Sequence, residues 1–81
     1  SGRGQIVVGN GRDVAAQIHH LLPRAVRHHG PITVAPHLKI VRGPRVIDLA
    51  SLSRIDEILE AVDREAQLAA DSTMIALVVR G

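Results

Sequence analysis

Eighty-one residues make one domain, so short that folding hides only about 60% of the surface its unfolded chain exposes. Without cysteine, neither disulfides nor a thiolate zinc site can supplement the core; without Phe, Tyr or Trp, that core is aliphatic and the stacking platforms of most single-strand nucleic-acid readers are excluded. The formal charge of +2 hides an asymmetry: seven basic side chains stand against one acid from Ser1 to Val46, and three against seven from Ile47 to Gly81.

Two readings of that asymmetry are open. The dipole attracts an anionic partner or a second copy of the chain, or the two surfaces lie side by side and neutralise each other. No apolar run approaches the ~20 residues of a membrane span and no signal-peptide pattern opens the chain, so a cytoplasmic protein is expected. Strands are predicted close to both ends. One α+β domain is expected over 1–81, cut from a longer protein, with residues 1–4 flexible or cloning-derived.

In chain order, Gln5–Val8 is a short apolar strand, closed by Gly9-Asn10-Gly11. A helix starts near Arg12-Asp13, capped by Asn10 or Gly11, with Asp13 well placed in its first turn. Val14, Ile18, Leu21, Leu22, Ala25 and Val26 fall on one helical face. Pro23 interrupts the backbone ladder without breaking that phase, which predicts a kinked helix or two short ones. Gly30-Pro31 stops it, so His28 and His29 belong to the last turn. Ile32–Val34 and Leu38–Val41, separated by Pro36-His37, read as one bulged strand or two short ones.

Arg42-Gly43-Pro44-Arg45 suits a two-residue hairpin, with Gly at the positive-φ corner of a type II′ turn. That register sets Val41 opposite Val46, Ile40 opposite Ile47, Lys39 opposite Asp48 and Leu38 opposite Leu49. Leu38, Ile40, Ile47 and Leu49 then share the core face, and Lys39–Asp48 pair on the other. Ser53, with Asp56 three residues on, opens the second helix as a capping box. Ile55, Ile58, Leu59, Val62, Ala66 and Ala69 form its apolar stripe, and Thr73–Val79 is the last strand.

The order βαββαβ in so short a chain fits a ferredoxin-like two-layer sandwich: a four-stranded, mainly antiparallel sheet with two helices on one face. Right-handed crossovers place the last strand at an edge beside the first. Met74, Ile75, Ala76, Leu77, Val78 and Val79 do not alternate as a half-buried edge strand should, nor do Ile6, Val7 and Val8. Both faces of these strands are therefore expected to be buried, the second by another subunit. These nine residues are the candidate interface, and the expected partner is a homo-oligomer, dimer or larger, or a neighbouring protein.

Chemistry-bearing patterns are sparse. Gly9-Asn10-Gly11-Arg12-Asp13, between strand and helix, resembles the opening of a phosphate-binding turn. Position 14 is Val and no GK[ST] follows, so a plain tight turn is the stronger reading and a small anion or carboxylate site the alternative. His19-His20 and His28-His29 lack metal-ligand spacing, and no metal or cofactor is expected. Asp48 lies before Ser51 and Ser53, where α/β folds place catalytic acids, but it has a partner in Lys39 and no second acid or base close by. An enzyme is not expected.

The run VIDLASLSRID, Val46 to Asp56, resembles the strand–loop–helix segment of STAS regulatory domains, which carry a similar Asp-Leu to Ile-Asp pattern. The resemblance implies a STAS-like α/β alternative for the fold; Glu57 stands where those domains often carry a phosphorylated serine. In size and layout the chain is also similar to ACT-type ligand-binding domains, which implies amino-acid or small-anion sensing by Gly9–Asp13 at a dimer interface. The functional expectation is a non-enzymatic, self-associating interaction module of an assembly or regulatory protein, with ACT-like sensing second and weak nucleic-acid binding through the basic half third.

Overall fold

The computed structural model describes residues 4–34 and 36–79, and the side chains of 27–29 and 32–34 lie outside that description. The elements are β1 (Gly4–Asn10), α1 (Gly11–Ala25), β2 (Arg27–His29), β3 (Ile32–Val34), β4 (His37–Arg42), β5 (Arg45–Asp48), α2 (Ile55–Ala69) and β6 (Thr73–Val79). Of the residues expected to be flexible or cloning-derived, 1–3 lie outside the described part. Gly4 belongs to β1, opposite Val79.

β1, β6, β4 and β5, in that spatial order, form one fully antiparallel sheet, and β2–β3 is a separate hairpin. Both helices pack on one face of the sheet, giving the expected two-layer βαββαβ sandwich. An α/β fold of STAS type rests on parallel strand pairs, and none is present among the described residues.

The place of the last strand is corrected. β6 lies beside β1, as expected, but inside the sheet between β1 and β4, and β1 forms the edge. The two strand–helix–strand units are therefore interlocked: β6 separates β1 from β4, and β4 separates β5 from β6.

The core follows from period. Met74, Ala76 and Val78 of β6, Leu38 and Ile40 of β4, and Val7 of β1 point to the helices. Val14, Ile18 and Leu22 of α1 and Ile58, Val62 and Ala66 of α2 close over them. Burying one such Ile or Leu contributes about 1.5–3 kcal/mol.

Two local readings change and two open alternatives are decided. Of the two readings open at Pro23, α1 is a single helix through it; Pro23 lies exposed two residues before its end, where the ring removes a single backbone bond. It ends at Ala25 rather than near Gly30. His28 and His29 are in β2, and Gly30-Pro31 turns the chain into β3 with Gly30 at φ +59°. Ile32–Val34 and the following strand are two separate strands in different sheets. Helix α2 is capped at Arg54, not Ser53, with no side-chain cap; the Arg54 guanidinium instead grips Asp56 at 2.8 and 3.1 Å. The hairpin at Gly43-Pro44 has the expected register, with Gly43 at φ +58°.

Candidate functional site

The turn from Gly9 to Asp13 makes its bonds within the fold. Asn10 caps α1, its Oδ1 accepting from the Asp13 amide at 2.9 Å. The Gly11 amide donates to the Ala70 carbonyl at 3.0 Å. Arg12 reaches Asp71 in an exposed ion pair. Two of the first three helix amides thus have partners within the chain, and Gly11 is glycine for contact. A methyl there would overlap the Ala66 carbonyl oxygen and come within 2.9 Å of the Ala69 Cβ. A groove of about 520 Å³ between the helices is bounded by Arg12, Asp63 and Gln67; its charged groups already pair, Arg12 with Asp71 and Asp63 with His19 at 2.7 Å.

Asp48 is held by a different partner from the one expected. It lies opposite Lys39, but its Oδ1 accepts from the Ala50 amide at 2.9 Å and meets His37 Nε2 at 2.7 Å. The Ala50 bond, then the His37 contact, hold its carboxyl below the usual Asp value of 3.8. His37 sits one pleat away on the same sheet face, close enough for the imidazole to reach diagonally. Among the described residues, no cluster of three or more His, Cys, Asp or Glu could hold a metal ion.

The charge asymmetry is folded into the molecule. Arg12–Asp71, His19–Asp63, His37–Asp48 and Arg42–Glu65 all join the basic first part to the acidic second part. Three are exposed; Arg42–Glu65, at 2.8 Å, is about four-fifths buried on both sides and ties the end of β4 to α2. That pair had no signal in the sequence, because it depends on which face of α2 overlies β4.

What remains is the sheet face opposite the helices. Register and pleat place Val8, Ile75, Val41 and Val46 in one row across all four strands. The next row is Ile6, Leu77, Lys39 and Asp48. Ile6, Val8 and Val46 are more than half exposed, and Ile75 is 36% exposed. Of the nine candidate interface residues, Ile6, Val8, Ile75, Leu77 and Val79 lie on this open face. Val7, Met74, Ala76 and Val78 are consumed by the chain's own core. The expectation that both faces of these strands are buried holds, within one chain, for the helix face alone.

No helix among the described residues is long and apolar enough to cross a membrane. No family model matches the chain, and neither curated proteins nor solved structures give a match. The fold and this open apolar face are therefore the whole basis for a functional reading.

Proposed function

We propose that the chain is a non-enzymatic, self-associating interaction module of an assembly or regulatory protein, and that it associates by burying the open face of its sheet. The observation that carries this is the unbroken apolar row Val8–Ile75–Val41–Val46, flanked by Ile6 and Leu77, on a face that no helix covers. Contiguous apolar surface of this kind on a small domain is stabilised by contact with another surface.

A second copy fits the face. Four strands about 4.8 Å apart and some six residues long at about 3.3 Å each give roughly 380 Å² in projection, or on the order of 1,000 Å² of accessible area over two partners. That lies at the lower end of specific interfaces, so association in the micromolar range is expected. Lys39 and Asp48, adjacent at one corner, offer both signs of charge to a twofold-related copy. Ligand sensing at residues 9–13 would have to compete with the bonds that Gly11 and Asp13 already make.

Sedimentation velocity of the wild type and of Val46→Lys and Ile75→Lys tests this reading. Concentration-dependent association that either lysine weakens supports it; association indifferent to both removes it.

A further inference from the structure

The two edges of the sheet are built differently. β5 has four residues, follows Pro44 and carries Arg45 and Asp48, the devices by which proteins protect an edge from pairing. β1 has seven residues, Gly-Gln-Ile-Val-Val-Gly-Asn, with no charge and no proline. Beside its outer edge, unpaired among the described residues, and between β1 and the Ala16, Gln17 and His20 side of α1, lies an open cleft of about 390 Å³. Its lining holds no carboxylate, lysine or arginine.

We infer that β1 is a second docking site, and that its occupant is β1 of another copy, paired antiparallel about a twofold axis at Val7 to make one continuous eight-stranded sheet. The inference deepens the proposed function, since it names a second surface of the same self-association, but it rests on different residues. About Val7 the strand is matched in its apolar pair, Ile6 and Val8. Antiparallel pairing there sets Ile6 opposite the partner's Val8 and Val8 opposite the partner's Ile6, with Gln5 opposite the partner's Gly9 and Gly4 opposite the partner's Asn10 outside them. Residues directly opposite share a sheet face, so Val7 and the partner's Val7 meet on the helix side, at the mouths of the two clefts. Ala16 and Gln17 of α1, exposed now, then face the partner's helix across the axis.

On the open side the consequence is larger. Ile6, Val8, Ile75 and Leu77 occupy the β1–β6 end of the face, and Lys39 and Asp48 the other end. Pairing through β1 brings the apolar ends of two copies together, so the charged corners lie at the far sides. The doubled patch is the surface that face-to-face packing would bury. The edge itself is about 23 Å long and two layers, about 15 Å, deep, which makes it a small interface that releases at micromolar concentration.

The test uses the intact chain, with sedimentation velocity from about 1 to 200 µM and amide hydrogen exchange of residues 4–10. Ala16→Glu alters the exposed helix surface beside the edge and leaves every sheet residue unchanged. Wild-type protein is expected to show β1 amides whose protection rises with concentration, and Ala16→Glu to remove that rise and weaken edge association about tenfold or more. Because the chain has no cysteine, Ile6→Cys and Val8→Cys proteins can be mixed and cross-linked with a short thiol reagent. Mixed dimers in excess of the random share support the Val7-centred register.

If wild-type association persists unchanged in Ala16→Glu, with β1 amide protection the same at every concentration, the edge inference is overturned while the open-face reading stands. If β1 protection and cross-linking occur but Val46→Lys and Ile75→Lys change nothing, the open-face reading falls and the edge remains. A foreign peptide as the true occupant would leave β1 amide protection independent of concentration in the purified protein, which also overturns the inference.

Discussion

The Gly11 amide donates to the Ala70 carbonyl at 3.0 Å, joining the first residue of α1 to the residue that caps α2. The two helices touch here, and the contact leaves no room for a side chain at position 11. Gly11→Ala must push backbone aside rather than a flexible side chain, and overpacking of this kind costs about 1–3 kcal/mol. Urea unfolding is expected to show a loss at the upper end of that range, with α1 retained in the folded fraction.

Ala70 carries the converse prediction. It holds φ +47° and ψ −110°, the first corner of a type II′ turn, where glycine is the usual residue. The turn is closed by the Ser72 amide on the Ala69 carbonyl at 2.7 Å. Strain at such a position is on the order of 1–3 kcal/mol, partly offset by the entropy glycine brings to the unfolded chain. Ala70→Gly is expected to stabilise the protein by about 1 kcal/mol, raising the thermal midpoint by roughly 4–8 °C.

Of the two Gly-Pro dipeptides, the sequence made one hairpin legible and hid the other. Around Gly43-Pro44 both flanks are apolar and alternate, so turn chemistry and period agree and the register can be counted outward. Around Gly30-Pro31 the first flank is Arg-His-His, without an apolar period, and the helical phase of α1 runs on to Val26 and conceals the strand. Yet the same dipeptide makes the same kind of turn, with Gly30 at φ +59° and Gly43 at φ +58°. The open face was legible from Ile6, Val8, Ile75 and Leu77, because residues that fail to alternate need a second cover. Which strand forms the edge was not, since local pattern says little about strand order. Asp48's bond to His37 was missed for a related reason: direct cross-strand pairs can be counted, diagonal reach cannot.

The Arg42–Glu65 pair separates buried from exposed ion pairs within one molecule. Both partners are about four-fifths buried, so Glu65→Ala leaves a guanidinium shielded from water without its carboxylate. The expected cost is about 2 kcal/mol. Arg12→Ala removes an exposed pair and is expected to cost under about 0.5 kcal/mol. Denaturant titration of the two variants side by side checks the ordering.

Acid should find Asp48. Its carboxyl is depressed below 3.8 in the fold by the Ala50 amide first and His37 second, whereas the unfolded chain restores the ordinary value. Between those two values the unfolded state binds more protons, so stability rises with pH. This contribution is full above about pH 4 and is lost as pH falls through the folded value. Asp48→Asn keeps an oxygen for the Ala50 amide but removes the charge, and is expected to flatten that part of the acid limb in unfolding curves taken from pH 5 to pH 2.

Self-association is the claim on which the functional account stands, and sedimentation velocity from about 1 to 200 µM reads it directly. The account predicts a weight-average mass that climbs above the 8.7 kDa of one chain as concentration rises, and that Val46→Lys and Ile75→Lys lower. A single 8.7 kDa species across the whole range would contradict it.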